Sequence, residues 1–249
     1  MTTTIAVAGK GGTGKTTLAG LLIRRLAEAQ AGPILAIDAD PASNLNTVLD
    51  LPLEKTVGDV REETSEKARA NLLEAGIAKN DLLAMGRPEG PGCYCAANNM
   101  LRLIIDKIAD SYPWVVIDNE AGLEHLSRRT TRDVDVLFIV SDATVRGITT
   151  AGRVAALLGE LHTKVGRHYL IVNRAAQGLT PELEAVIAEH GLNLLAVLPD
   201  DPAVAEFDAA GKALIGLPAD STLSAALEPV VAAALATPQE KEAAGAHHR

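Results

Sequence analysis

Gly9, Gly14, Lys15 and Thr16 stand in the run GKGGTGKT, which satisfies G-x-x-x-x-G-K-[ST] over residues 9–16. In that spacing the glycines let successive amides turn inward around phosphate oxygens. The helix that follows aims the positive end of its dipole at the same point. Gly11, Gly12, Thr13, Gly14 and Thr17 would form the cradle, Lys15 would sit on the β- and γ-phosphates, and the Thr16 hydroxyl on Mg²⁺. The bland alternative is a glycine-rich turn. The apolar run TIAVA (4–8) before the motif and a helical pattern over 15–29 after it favour the phosphate site. Asp118 closes another apolar run, WVVID (114–118), where a carboxylate must stand to reach the metal. Asp38 and Asp40, in AIDADP, follow a third run. They suit either metal and water chemistry or the plain capping of a helix, and the residue types leave both readings open.

Cys93 and Cys95, in GPGCYCAANN (90–99), are the two cysteines of the chain. They could be two small hydrophobes in a loop. A bond between them would close a tiny strained ring that a reducing compartment would open. A third reading is a metal site completed by symmetry. Zn²⁺ and Ni²⁺ at thiolates take four ligands, tetrahedral or square-planar, and a two-fold dimer supplies four from two per chain.

The elements that must position these residues alternate in type. Strand patterns at 4–8, 34–38, 114–118, 134–140, 168–172 and 193–198 are separated by helical ones at 15–29, 97–110, 147–161, 181–190 and 222–235. That rhythm predicts βαβ units in an α/β, doubly wound, mostly parallel sheet with helices on both faces. Hydrophobic residues are 47% of the chain but aromatics only 2%, so the core must be Ala, Val, Leu and Ile, as buried parallel strands require. Residues 55–90 are the least readable, with a short strand possible at 81–85. Residues 1–236 read as one ATPase domain and 237–249, which carry His247 and His248, as a disordered tail.

Lys10, directly after the first glycine, is more than the phosphate motif requires. With KGGTGKT it resembles the deviant P-loop of the MinD, ParA, ArsA and nitrogenase iron protein group of ATPases. The resemblance implies that Lys10 reaches across a dimer interface to the other subunit's nucleotide, somewhat as an arginine finger does. It also implies that Asp40 positions or activates the attacking water, that Asp38 supports Mg²⁺ through water, and that Ala121 and Gly122 belong to a second switch. In IVNRAAQ the run Asn173, Arg174, Ala175, Ala176 lacks the carboxylate with which GTPases read guanine. The family places this asparagine on adenine, which favours ATP, and Pro199 and Asp200 of LPDD match the loop that closes over the base by backbone contacts.

KGGTGKTT, DADP, GCYCAANN and DNEAGLEHLSRRT together resemble the CooC family, ATPases that help insert nickel into carbon monoxide dehydrogenase. The resemblance implies that Cys93 and Cys95 pair across a homodimer to bind Ni²⁺ or Zn²⁺, with a nickel enzyme as partner. Glu124 and His125 follow the second switch, and His125 reads more readily as structural than as a ligand. A maturation factor for another nickel enzyme, such as acetyl-CoA synthase, is the nearest rival. An iron–sulfur electron donor would need a cysteine after the Asp118 strand, and 119–132 has none. A membrane-bound switch would need a basic amphipathic helix near the end, and 222–235 holds no Lys or Arg. A net charge of −9 disfavours nucleic acid and anionic membrane. Two cysteines and no apolar run long enough to span a bilayer predict a cytoplasmic home.

Overall fold

In the computed structural model the described residues are 2–53, 56, 80–86, 93–120, 133–160 and 164–236, with the backbone alone at 80, 81, 93–100 and 160. Seven strands form one sheet: β1 (Thr3–Gly9), β2 (Ile34–Asp38), β3 (Asn80–Ala84), β4 (Trp114–Asp118), β5 (Val134–Asp142), β6 (Val165–Asn173) and β7 (Leu194–Val197). Their order is β3-β2-β4-β1-β5-β6-β7 and every pairing among these strands is parallel, in line with the doubly wound, mostly parallel sheet read from the sequence. The helices are α1 (Lys15–Glu28), α2 (Leu45–Leu49), α3 (Cys93–Ile108), α4 (Val145–Leu157), α5 (Pro181–Glu189), α6 (Pro202–Ala209), α7 (Thr222–Ala226) and α8 (Glu228–Leu235).

Period-two alternation feeds two cores, one on each face of the sheet. Ala6, Ala8, Val115, Ile117, Leu137 and Ile139 point to one face, where Leu101 and Ile105 of α3, Ile148 and Val154 of α4, and Leu183 of α5 cover them. Ile5, Val7, Val116, Val136 and Phe138 point to the other, against Leu18, Leu22 and Leu26 of α1, Leu45 of α2 and Val230 of α8. With so few aromatics, Phe138 is the bulkiest fully buried side chain, and its ring stacks on Tyr169 at 6.2 Å.

Three differences from the sequence patterns have local causes. The pattern at 222–235 is two helices, because Pro229 stands in the first turn of the second and restarts the helix after Leu227. The helix expected over 97–110 begins at Cys93, so both cysteines lie in its first turn rather than in a loop before it. Helix α6 follows the side-chain cap Asp201 and opens on Pro202, a proline at the first position. Asp201 also accepts from Leu223 N at 2.9 Å, which ties α6 to α7.

The strand order reverses around β1 and β4, whose neighbouring carboxyl ends make the crevice where open α/β sheets bind ligands. The P-loop leaves β1 and Asp118 ends β4 at that place. Ala121, Gly122, Glu124 and His125, the tail 237–249 and most of 55–90 lie outside the described residues.

Candidate nucleotide site

Helix α1 starts with no protein cap. Gly14 stands before it at φ 89°, no side chain accepts from its first amides, and its first turn holds no acid. An uncapped helix start concentrates unsatisfied N–H groups and partial positive charge, the surroundings an anion takes. The loop that leads there can only be glycine-rich. A Cβ on Gly9 would lie 2.2 Å from the Val140 carbonyl oxygen of β5, and one on Gly14 2.4 Å from Asn173 Nδ2. Gly12 differs. Its Cβ would meet nothing within 4 Å, but its φ of +80° is one that L-residues rarely hold.

Lys15 is buried, and its Nζ donates to the Lys10 carbonyl at 3.2 Å. Burial lowers its pKa from the ordinary lysine value, against the opposing fields of Asp118, Asp40 and Glu120. Lys10 itself is exposed.

Sheet register builds the acidic side. Asp38 of β2 and Asp118 of β4 are direct partners across neighbouring strands, and Val7 partners Asp118 on the other side. Both carboxyls are 1% exposed. Burial raises Asp118 to about 7, although a hydrogen bond with the Thr16 side chain pulls the other way. Burial raises Asp38 to about 6 against amide bonds from Leu45 and Asp40. Those amides donate at 2.9 and 3.0 Å, so Asp38 does fasten the loop into α2, as the capping reading expects. Asp40 is half-buried, and its Oδ1 accepts from Ala42 N at 2.8 Å.

Asp118 Oδ1 is buried with no hydrogen-bond partner among the described residues, as is Asn119 Oδ1. An orphaned carboxylate oxygen beside the Thr16 hydroxyl is a hard-oxygen pair of the kind Mg²⁺ selects, so the residues present fit that ion. Sequence reasoning passed over Asn119, whose backbone N–H and Nδ2 both donate to the Val7 carbonyl, at 3.1 and 3.0 Å.

A cavity of about 630 Å³ opens over these groups, within the range of small-molecule sites. Gly11, Gly12, Gly14, Lys15, Thr16, Thr17 and Asp40 line its floor, with Glu120 and Arg174. Its other walls were not anticipated. They are Asn44, Thr47 and Val48 around α2, and Asp208, Gly211, Lys212 and Leu214 at and after the end of α6. Pro199 and Asp200 follow β7 but are not among the lining residues. Asn173 ends β6, buried against the P-loop, where its Nδ2 donates to the Thr13 carbonyl at 2.8 Å. Arg174 is exposed and reaches the Gly12 carbonyl at 3.3 Å. Cys93 and Cys95 start α3, and a group of three or more His, Cys, Asp or Glu able to hold a metal does not occur among the described residues.

Parallel doubly wound topology, a P-loop at the switch point and a strand-end carboxylate beside it define a P-loop nucleotide-binding protein. The chain belongs to the CobQ/CobB/MinD/ParA nucleotide binding domain family, whose model matches residues 4–215. A Methanocaldococcus jannaschii protein described as an uncharacterized ATP-binding protein is 44% identical over 247 residues, covering 91% of this chain and 96% of its own. The carbon monoxide dehydrogenase accessory protein CooC of Rhodospirillum rubrum is 33% identical over 236 residues, 83% of this chain and 87% of its own. The septum site-determining protein MinD of Pyrococcus horikoshii, solved with Mg-ADP, shares the fold. It superposes with a TM-score of 0.71 at 23% identity over 93% of this chain and 95% of that one.

Proposed function

We propose that the chain is a Mg-ATP-dependent ATPase, one domain over 1–236, that dimerises around nucleotide and assists nickel insertion into carbon monoxide dehydrogenase. The uncapped start of α1, with Lys15 and the orphaned Asp118 oxygen beside it, carries the ATPase part. Bound Mg²⁺ would neutralise charge on the phosphates as the terminal group transfers. In this reading the amides of 11–17 hold the phosphates, and Lys15 turns from the Lys10 carbonyl to them. Thr16 and Asp118 hold the ion, with Asp38 supporting it through water. Asp40 orients the attacking water, Lys10 reaches the second subunit's nucleotide, and Asn173, Arg174, Pro199 and Asp200 surround the adenine.

The nickel part rests on Cys93 and Cys95 at the start of α3 and on the 33% identity with a CooC protein. One chain supplies only two thiolates. Four-coordinate Ni²⁺ or Zn²⁺ cargo therefore draws its other ligands from a second copy. Ni²⁺ titration followed by light scattering tests this. The expected result is one metal per two chains with dimer formation, lost in Cys93→Ser and Cys95→Ser while ATP binding survives. One metal per chain with no change in association would overturn the shared site. The 44% identity with a protein described as an uncharacterized ATP-binding protein supports a coarser second reading, a nucleotide switch without metal delivery. A pull-down with carbon monoxide dehydrogenase separates the two.

A further inference from the structure

The end of β6 holds the P-loop by its carbonyls. Asn173 Nδ2 donates to the Thr13 carbonyl at 2.8 Å, a bond spanning 160 residues of sequence. The next residue, Arg174, sits at φ 56° and donates from its guanidinium to the Gly12 carbonyl at 3.3 Å. In a trans peptide the carbonyl and the following N–H point in opposite directions. Fixing the Thr13 carbonyl therefore fixes the Gly14 N–H on the far side, and fixing the Gly12 carbonyl fixes the Thr13 N–H. Inward-turned amides are what a phosphate nest requires. A further link runs on from there: the Thr13 hydroxyl donates to the Lys10 carbonyl at 2.9 Å, the same oxygen that Lys15 Nζ reaches. Gly14 is matched to this contact, since a Cβ there would press on the Asn173 amide.

We infer that Asn173 is a positioning residue for the phosphate loop, holding the Thr13 carbonyl outward so that the loop's amides face the phosphates, whatever base is bound. This rests on the phosphate-binding reading above and goes beyond the contact with adenine. Removing the donor leaves a buried carbonyl unpaired, and the loop then samples other peptide orientations.

The test compares ligands with and without a base. Asn173→Ala is expected to lower affinity for inorganic tripolyphosphate and GTP by about tenfold, and for ATP by at least as much. A variant that loses ATP affinity while GTP and tripolyphosphate stay within about twofold of wild type overturns the inference and leaves Asn173 a base reader. Wild-type protein that binds neither nucleotide nor tripolyphosphate overturns the nucleotide reading itself, and the inference with it. Should Asn173→Ala fail to fold, Asn173→Leu, which keeps the side chain's size but offers the Thr13 carbonyl no N–H, carries the same expectation, and tripolyphosphate binding at wild-type strength in it contradicts the proposal.

Discussion

The two ends of the cavity are built differently. At the phosphate end Asp38 and Asp118 hang from strand ends whose register is fixed by the sheet, Lys15 starts α1, and all three are buried. At the other end Asp208 and Lys212 are exposed, and Lys212 is steadied by the Phe207 ring, whose centroid lies 5.6 Å from its Nζ. The first end is a fixed electrostatic site in low dielectric, where each charge is strongly felt. The second is a wet wall, where a single contact contributes little.

The largest expected effect comes from the buried end. Lys15→Ala removes an ammonium that the fields of Asp118, Asp40 and Glu120 act on, and with it the positive charge where phosphates must enter. ATP affinity by calorimetry is expected to fall at least about 100-fold. A loss under about tenfold would erase the contrast between the two ends.

Asp118→Asn sharpens it through stability. In the unfolded chain Asp38 and Asp118 ionise near 3.9, but in the fold they hold their protons to about 6 and about 7. The native state thus binds more protons between those values. The stability these groups contribute is present below about pH 4 and is lost as pH rises through 6 to 7. The ligand-free Asn variant is therefore expected to be more stable than wild type at pH 8, by about 2 kcal/mol or roughly 4–8 °C in Tm. The difference should shrink towards pH 5. A variant less stable than wild type at pH 8 would mean that Asp118 is not desolvated as described.

The smallest effect belongs to the exposed wall. Lys212→Ala is expected to weaken ATP binding by about threefold and to leave tripolyphosphate binding unchanged. A loss of both beyond about tenfold would make this wall part of the phosphate machinery.

The same contrast explains what was legible in the sequence. Residues 9–16 carry their geometry in their types, because Gly9 and Gly14 answer close contacts and Lys15 and Thr16 follow at fixed offsets on a helix. Asp118 could be placed because an apolar run ends on it. The alternation of strands and helices yielded the sheet, though not that every described pairing is parallel. Lys212 and Asp208 carry no such signal. They reach the cavity through the turn that ends α6, where Lys212 N bonds the Phe207 carbonyl at 2.9 Å, and that helix is set in place by Asp201's bond from α7 and by Ala203, Val204 and Phe207 against the core. The Asp201-Pro202 pair could have revealed α6 as a capped helix, but not which way its end would face. Asn173 was placed on adenine by resemblance, and its bond to Thr13 joins positions too distant for sequence pattern to connect.

The account rests most directly on Mg²⁺ and nucleotide meeting at Thr16 and Asp118 in front of α1. Calorimetric titration of ATP into the ligand-free chain, with Mg²⁺ and again with EDTA, measures this. The expected result is one nucleotide per chain, bound at least about tenfold more tightly with Mg²⁺. Binding of equal strength in both buffers, or no binding in either, would contradict it.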